Sequence, residues 1–259
     1  MKTKLNIAIV GTGNLAWHLA NAIDSSEHNL LQVLSRDQKR AEEFTQNLSA
    51  KGISRIDDID ANVEIIILAL TDTALKGKYI AQFPKNAIMC HTSGSISMRV
   101  LKSHKKHGIF YPLQTFSKQK EVDFSNIPIC LEASDNEVLQ KLHVLANSLS
   151  KSIYEINSKQ RKALHVAAVF ACNFTNLMYD ISSDICNDAN LNFDILRPLI
   201  KETAAKVQNH FPEDVQTGPA KRNDGRVIEY HKKFLYDYPD YQEIYDLLTY
   251  EIQQKHEEL

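Results

Sequence analysis

The sequence predicts an α/β chain, a doubly wound and mostly parallel sheet followed by an all-α C-terminal domain. Short β-rich runs alternate with helical patterns as far as Ile156. One run, Glu64–Leu70, is apolar from Ile65 onward, as a central parallel strand covered on both faces must be. From Ser158 onward no convincing strand recurs.

In chain order, Leu5–Val10 reads as a strand, Asn14–Asp24 as a helix, Leu30–Ser35 as a strand and Gln38–Leu48 as a helix. Glu64–Leu70 and Ala87–His91 supply central strands, and Gly108–Tyr111 and Ile127–Glu132 two more. The helix Asn136–Leu149 leads into a last strand, Ser152–Ile156. Helical patterns then cover Ser158–Asn187, Phe193–Asn209, Asp224–Tyr236 and Tyr238–Glu258, with His210–Gly218 as a loop carrying Pro212 and Gly218. The boundary is placed near Asn157, giving domains over 1–157 and 158–259. Ala163–Phe174 is apolar on nearly every face, so it is expected at the centre of the second domain or in a dimer interface.

Composition narrows the partners. With 43% hydrophobic and 24% charged residues, the 259-residue chain is ordinary for a globular protein. A net charge of −2 offers no reason to invoke nucleic acid or an anionic membrane. No apolar stretch is long enough to span a bilayer. The basic start, Met1-Lys2-Thr3-Lys4, enters a strand without the small-residue cleavage site of a secretory signal, so a cytoplasmic location is expected. Cys90, Cys130, Cys172 and Cys186 form no CxxC pair and are read as reduced thiols without a metal.

Chemistry enters at Gly11-Thr12-Gly13-Asn14-Leu15-Ala16, a GxGxxA run that follows a strand and opens a helix. Gly11 permits the tight turn, Gly13 lets a pyrophosphate approach the backbone, and Ala16 lets the helix pack closely on the strand. Free N–H groups and the positive end of the helix dipole then receive phosphate. Two of only 8 glycines stand at these positions, so the pattern is read as a Rossmann-type dinucleotide turn rather than a bare strand–helix corner. The next strand ends Ser35-Arg36-Asp37, with Lys39 and Arg40 one turn on. An NAD ribose calls for a carboxylate there and a 2′-phosphate for Arg, so Ser35 and Arg36 favour NADP(H). Asp37 is read as an N-cap or a ribose ligand.

Ligands of open α/β sheets lie beyond the carboxyl ends of the strands. Thr71 and Asp72 follow one central strand there, and His91-Thr92-Ser93-Gly94-Ser95 follows the next. This run offers hydroxyls, an imidazole and a flexible backbone to a nicotinamide and its substrate. A structural reading stands beside it, with Ser95 or Ser97 as a helix cap and Thr92 and Ser93 satisfying a turn.

The GxGxxA turn, His91–Ser95, Tyr111-Pro-Leu-Gln-Thr-Phe116 and Ile127-Pro-Ile together resemble the Rossmann-like NADP oxidoreductases that carry a C-terminal domain of unknown function. His165, Asn173 and Thr217-Gly-Pro-Ala-Lys-Arg-Asn-Asp224 extend the resemblance over nearly the whole chain. Such proteins are similar to pyrroline-carboxylate reductases, ketopantoate reductases and 6-phosphogluconate dehydrogenases. The resemblance therefore implies a Rossmann domain, an all-helical partner domain and a homodimer formed through the C-terminal helices. Two positions depart from the pattern. Tyr111 stands where a His-Pro start is common, and Asn223 replaces the Gly of an Arg-Gly-Asp run, a change that Asn tolerates because it adopts left-handed backbone readily.

Counted at about 100° per residue from His165, Asn176 falls near 20°, Lys162 and Asp180 near 60° and Asn173 near 80°. A polar stripe on an apolar helix asks for a partner, because unpaired buried polar groups are costly. In the functional reading His165 transfers a proton, Ser93 or Ser95 being the alternative, and Asn173 holds a carbonyl or carboxamide. The Lys/Asn pair four residues apart that the related hydroxyacid dehydrogenases carry is absent, since Lys162 is followed at that spacing by Val166 and His165 by Val169. A core histidine remains the structural alternative. Thr217, Gly218 and Arg222 form a second cluster able to close over a substrate carboxylate or phosphate, with Asp224 read as a helix cap. Tyr238, Tyr241 and Tyr245 follow helical spacing and read as packing.

These readings converge on an NADPH-dependent oxidoreductase for a small carbonyl, imine or hydroxy substrate. A non-catalytic NADP(H) sensor is the second reading, and a purely structural dimerisation module the third.

Overall fold

The computed structural model describes residues 4–257. Met1–Thr3 of the basic start, and Glu258 at the end of the last expected helix, lie outside them. The described chain divides into two compact units, Met1–Cys172 and Asn173–Leu259.

The first unit is built on one eight-stranded sheet. Its strands are β1 (Asn6–Val10), β2 (Asn29–Leu34), β3 (Lys51–Ile53), β4 (Ile65–Leu68), β5 (Ile88–His91), β6 (His107–Pro112), β7 (Ile129–Ala133) and β8 (Ile153–Glu155), in spatial order β3-β2-β1-β4-β5-β6-β7-β8. All neighbours run parallel except β6 and β7. The expected doubly wound, mostly parallel sheet is therefore present, and its order reverses between β1 and β4, where such sheets bind ligands.

Alternate residues of β1 serve opposite faces. Ile7 and Ile9 join Leu19, Ile23, Leu142 and Leu145 on one side, whereas Ala8 and Val10 join Ile66, Leu68, Leu75 and Phe83 on the other. The first face is covered by α1 (Asn14–Asp24) and α4 (Asn136–Leu149). The second is covered by short turns, among them α3 (Asp72–Leu75) and the 3₁₀ segments Lys78–Gln82 and Met98–Leu101. The sequence did not reveal β3, which is only three residues long. Its Gly52 lies so close to α2 (Gln38–Thr45) that a Cβ would meet the Ala41 carbonyl at 2.6 Å.

The change of character at Asn157 is a helix start. Asn157 accepts from Lys159 N and Gln160 N, while Gln160 reaches back to Asn157 N, a complete capping box for α5 (Ser158–Ala168). Yet α5 stays with the first unit, because Arg161 is fully buried there. A π-helical turn, Val169–Phe174, follows. The α-helical count of residues around the axis fails across it, so the polar stripe does not continue from His165 at the spacing expected.

The second unit holds α6 (Thr175–Asp188), α7 (Arg197–Asn209), α8 (Gly225–Phe234) and α9 (Pro239–Glu257), with no strand among its described residues. Asp224 caps α8 by accepting from Val227 N at 3.3 Å. Asn223 adopts φ +51°, as expected of Asn in the place of Gly. On α9, Tyr241 donates to Asp184 at 2.6 Å and Tyr245 bonds His231 at 2.9 Å, and the ring of Tyr238, just before α9, stacks on that of Tyr241 at 5.7 Å, so the tyrosines pack helices together. Among the described residues of this unit, the buried apolar ones are Cys186, Ala220, Ile228 and Leu235. Ala163–Phe174 is not central to a domain core, for Val166 is 57% and Phe170 65% exposed. No helix of the described residues is long and apolar enough to cross a membrane.

Candidate functional site

The turn after β1 is shaped by its glycines. Gly11 has φ +115°, and a Cβ there would lie 2.3 Å from the Ala69 carbonyl oxygen at the end of β4. No L side chain fits that position. Gly13 faces nothing within 4 Å of a would-be Cβ, so the approach to the start of α1 is open. Gly13 is also the N-cap of α1 and provides no side-chain cap, whereas Asp37, Asp135, Asn157 and Asp224 cap their helices. The first amides of α1, including those of Asn14 and Leu15, therefore retain unsatisfied donors at a dipole's positive end, the arrangement a diphosphate needs. Thr12 is buried, and the Asn14 side chain is committed elsewhere, donating to Phe116 O at 3.0 Å.

At the tip of β2, Ser35 is buried and its Oγ accepts from Asp37 N at 3.4 Å. Asp37 accepts from Arg40 N at 3.2 Å, which settles it as the N-cap of α2. Arg36 is exposed. It lies near Tyr79, whose phenol burial pushes up and the Arg36 charge pulls back. Beside Thr12 a cleft of ≈ 610 Å³ opens between α1 and α2, with Lys39, Arg40 and Lys118 among its lining. Lys118 comes from the loop after β6 and lies over the Phe44 ring at 5.6 Å; nothing in the local sequence marks its arrival here.

Beyond β4 and β5 the expected polar groups meet, though not in the roles expected. Thr71 caps α3, accepting from Ala74 N at 3.4 Å. Ser93 Oγ donates to Asp72 Oδ1 at 2.7 Å and accepts from Ser95 N at 3.1 Å and Ile96 N at 3.0 Å. Its proton and lone pairs are all engaged, so Ser93 pins the loop and is not a proton donor. His91 cannot touch a cofactor either, because it is 0% exposed. Its Nδ1 accepts from Ser93 N at 3.2 Å, and burial, then the Arg161 charge, pushes the imidazole down to about 4. His91 Nε2 makes no hydrogen bond among the described residues, although the Ser97 backbone is near enough to oppose the fall. Ser97, not Ser95, caps the following turn, and Ser95 Oγ is bonded to nothing described.

His165 projects from α5 toward this loop. Its Nδ1 lies 3.1 Å from the Tyr111 hydroxyl of β6, the two rings meeting edge-on at 67°. Gly94 is where it is because of them, since a Cβ would meet His165 Nδ1 at 2.6 Å and Tyr111 Cζ at 2.9 Å. Gly94, expected to bind substrate, thus makes room for a His–Tyr pair. Tyr111 is buried, and desolvation first, then the neighbouring Cys130, pushes its phenol up to about 12.

One turn before His165, Arg161 is 0% exposed and ion-paired with Glu132 of β7. It also donates to Ile96 O at 2.7 Å and Ser158 Oγ at 3.3 Å, while its Nε has no partner among the described residues. Ser158 donates to both Glu132 oxygens, at 2.8 and 2.9 Å. The sequence reading missed Arg161, although it lies only about 40° from His165 on the helix.

In the second unit, Asn173 lies exposed in the π turn. Gly218 has φ +111° with open space about it, Thr217 is exposed, and Arg222 is exposed without an ion pair among the described residues.

Fold and turn together define a class, Rossmann proteins with a helical C-terminal unit. A Rossmann-like domain model matches residues 1–115, and the domain of unknown function DUF2520 matches residues 127–252. A crystal structure described as a "putative NADP oxidoreductase" from Bacteroides fragilis is 40% identical, covers 97% of this chain and 98% of its own, and superposes with a TM-score of 0.89. A Thermotoga maritima protein shares the fold at 23% identity, 97% and 98% coverage and TM-score 0.73. So does 1-pyrroline-5-carboxylate reductase from Streptococcus pyogenes, at 12% identity, 97% and 99% coverage and TM-score 0.68. No curated protein matches the chain. The chain belongs to the Rossmann-like, DUF2520-bearing family that the Bacteroides fragilis protein represents.

Proposed function

We propose that this protein is an NADP(H)-dependent oxidoreductase acting on a small carbonyl, imine or hydroxy compound. The observation that carries this reading is the uncapped start of α1, reached through Gly11 and left open at Gly13. The 40% identical relative described as a putative NADP oxidoreductase supports it, as do reductive aminase structures of the same fold that hold NADPH.

In this reading the Gly11 turn, whose own amide donates to Leu34 O at 2.8 Å, presents the amides of Thr12–Leu15 to the diphosphate, and Ser35 and Arg36, aided by Lys39 and Arg40, hold the 2′-phosphate. Thr71 and Asp72 border the nicotinamide end, with Asp72 anchored by Ser93. The nicotinamide would supply or accept hydride. His165 supplies or takes the accompanying proton, with Ser95 as the nearby free hydroxyl. Asn173, Thr217, Gly218 and Arg222 stay candidates for substrate contact.

We also propose a homodimer in which a second copy covers the helical unit. Phe174, Leu177, Ile195, Leu199 and Leu247 are between 44% and 67% exposed, too much apolar surface for an isolated helical unit with so small a core. A reducing compartment such as the cytoplasm suits its four free thiols.

Calorimetric titration with NADPH and NADH tests the cofactor. NADPH is expected to bind at least about tenfold more tightly, as loss of charge-assisted bonds to a 2′-phosphate implies. Failure of both coenzymes to bind overturns the reading. Following the reduced-nicotinamide absorbance against a panel of carbonyl and imine acceptors then separates an enzyme from a sensor.

A further inference from the structure

Resting on the reading of His165 as the proton-transferring group, we infer that Tyr111 is its positioning residue: the phenol oxygen accepts from His165 Nδ1–H, so that Nε2 alone exchanges the proton with substrate. The juxtaposition is built rather than incidental. The hydroxyl and Nδ1 are 3.1 Å apart although 54 residues separate them, and Gly94 leaves space that no other residue could. Nε2 has no partner among the described residues, so one nitrogen is held and the other is free.

The proton inventory follows. Imidazolium His165 carries protons on both nitrogens, and Nδ1–H donates to Tyr111 Oη. A bound nicotinamide would supply the hydride, and His165 would give its Nε2 proton to the substrate oxygen or nitrogen, where the C=O or C=N π pair forms the new bond. The N–H bonding pair stays on Nε2 as its lone pair. Neutral His165 keeps Nδ1–H on Tyr111, so the ring need not turn between states. Burial keeps Tyr111 protonated near neutrality, which fits a holder and not a proton source. The charged groups nearby are Arg161 and Lys162 on α5 itself, Glu132 on β7, and Asp72, which accepts from Ser93 of the facing loop. Arg161 and Glu132 offset one another, Lys162 is exposed, and the Ser93–Ser95 loop carries no charge.

The test is the titration of the His165 ring by NMR in the full-length protein, in wild type and Tyr111→Phe, assigned with His165→Gln. Losing an acceptor for Nδ1–H disfavours the imidazolium, so the midpoint is expected to move to lower pH by about half a unit or more. A midpoint that rises or stays put overturns the inference, because a hydroxyl that donates to neutral Nδ1 would shift it upward. Should Tyr111→Phe not fold, the ring ¹⁵N shifts of wild type decide: Nδ1–H as the neutral tautomer supports the inference and Nε2–H defeats it. With a substrate in hand, Tyr111→Phe should lower kcat about tenfold while NADPH affinity is unchanged. The titration needs no cofactor, so failure of NADPH binding would strike the oxidoreductase reading and leave this measurement standing.

Discussion

Gly94 and His165 occupy each other's space: a methyl on the glycine would sit 2.6 Å from the imidazole Nδ1. Backbone strain is not the reason, since Gly94 is not among the positive-φ residues. Gly94→Ala should therefore fold but displace His165 from Tyr111, lowering kcat by about 10²-fold, the scale of a 1 Å misplacement. Steady-state kinetics beside a melting curve check this, and unchanged turnover in a folded variant would remove the pair from the mechanism.

Gly11→Ala meets both a positive φ and the Ala69 carbonyl at 2.3 Å. Strain alone costs about 1–3 kcal/mol, and moving the loop to relieve the contact withdraws the α1 amides. Scanning calorimetry should show a lower Tm and titration a lost NADPH response. Native-like NADPH affinity would show that the turn does not hold the diphosphate.

Arg36→Ala should weaken NADPH by about tenfold or more and leave NADH nearly unaffected, because only the 2′-phosphate uses the guanidinium. Equal losses for both coenzymes would move the contact to Arg40 or Lys118, which line the neighbouring cleft.

Glu132 neutralises a guanidinium that no solvent reaches. Removing one partner of such a pair leaves a buried charge, so Glu132→Ala should destabilise the fold by about 3–5 kcal/mol. Denaturant unfolding measures it, and a loss below about 1 kcal/mol would mean that the pair is solvated.

His91 is held neutral, its imidazole lowered from 6.5 to about 4 by burial and Arg161. Between those values the unfolded chain binds a proton that the folded chain refuses. Stability is thus complete above about pH 6.5 and declines as pH falls toward 4. His104, also lowered by burial, acts in the same sense. The Tm of His91→Asn should fall less steeply than that of wild type across this window; parallel slopes would clear His91 of the effect.

What the amino-acid sequence alone could show was local. GxGxxA after a strand, the apolar run of β4, the Asp224 cap and the left-handed Asn223 each depend on residues within a few positions, where backbone geometry and periodicity act. At Ala163–Phe174 the apolarity on every face was legible as well, and of the two places it allowed, a domain core and a dimer interface, the exposure of Val166 and Phe170 removes the first.

The pairings that give the site its chemistry were decided by tertiary structure alone. Whether Ser93 is a donor or a pin depends on Asp72, 21 residues away. Whether His165 is a core residue or a poised one depends on Tyr111 across 54. Arg161 is tolerable inside the protein only because Glu132 arrives from another strand. Local pattern states which groups a residue owns, but a hydrogen bond or ion pair is settled by which other group stands within about 3 Å, and only the folded chain brings those partners together.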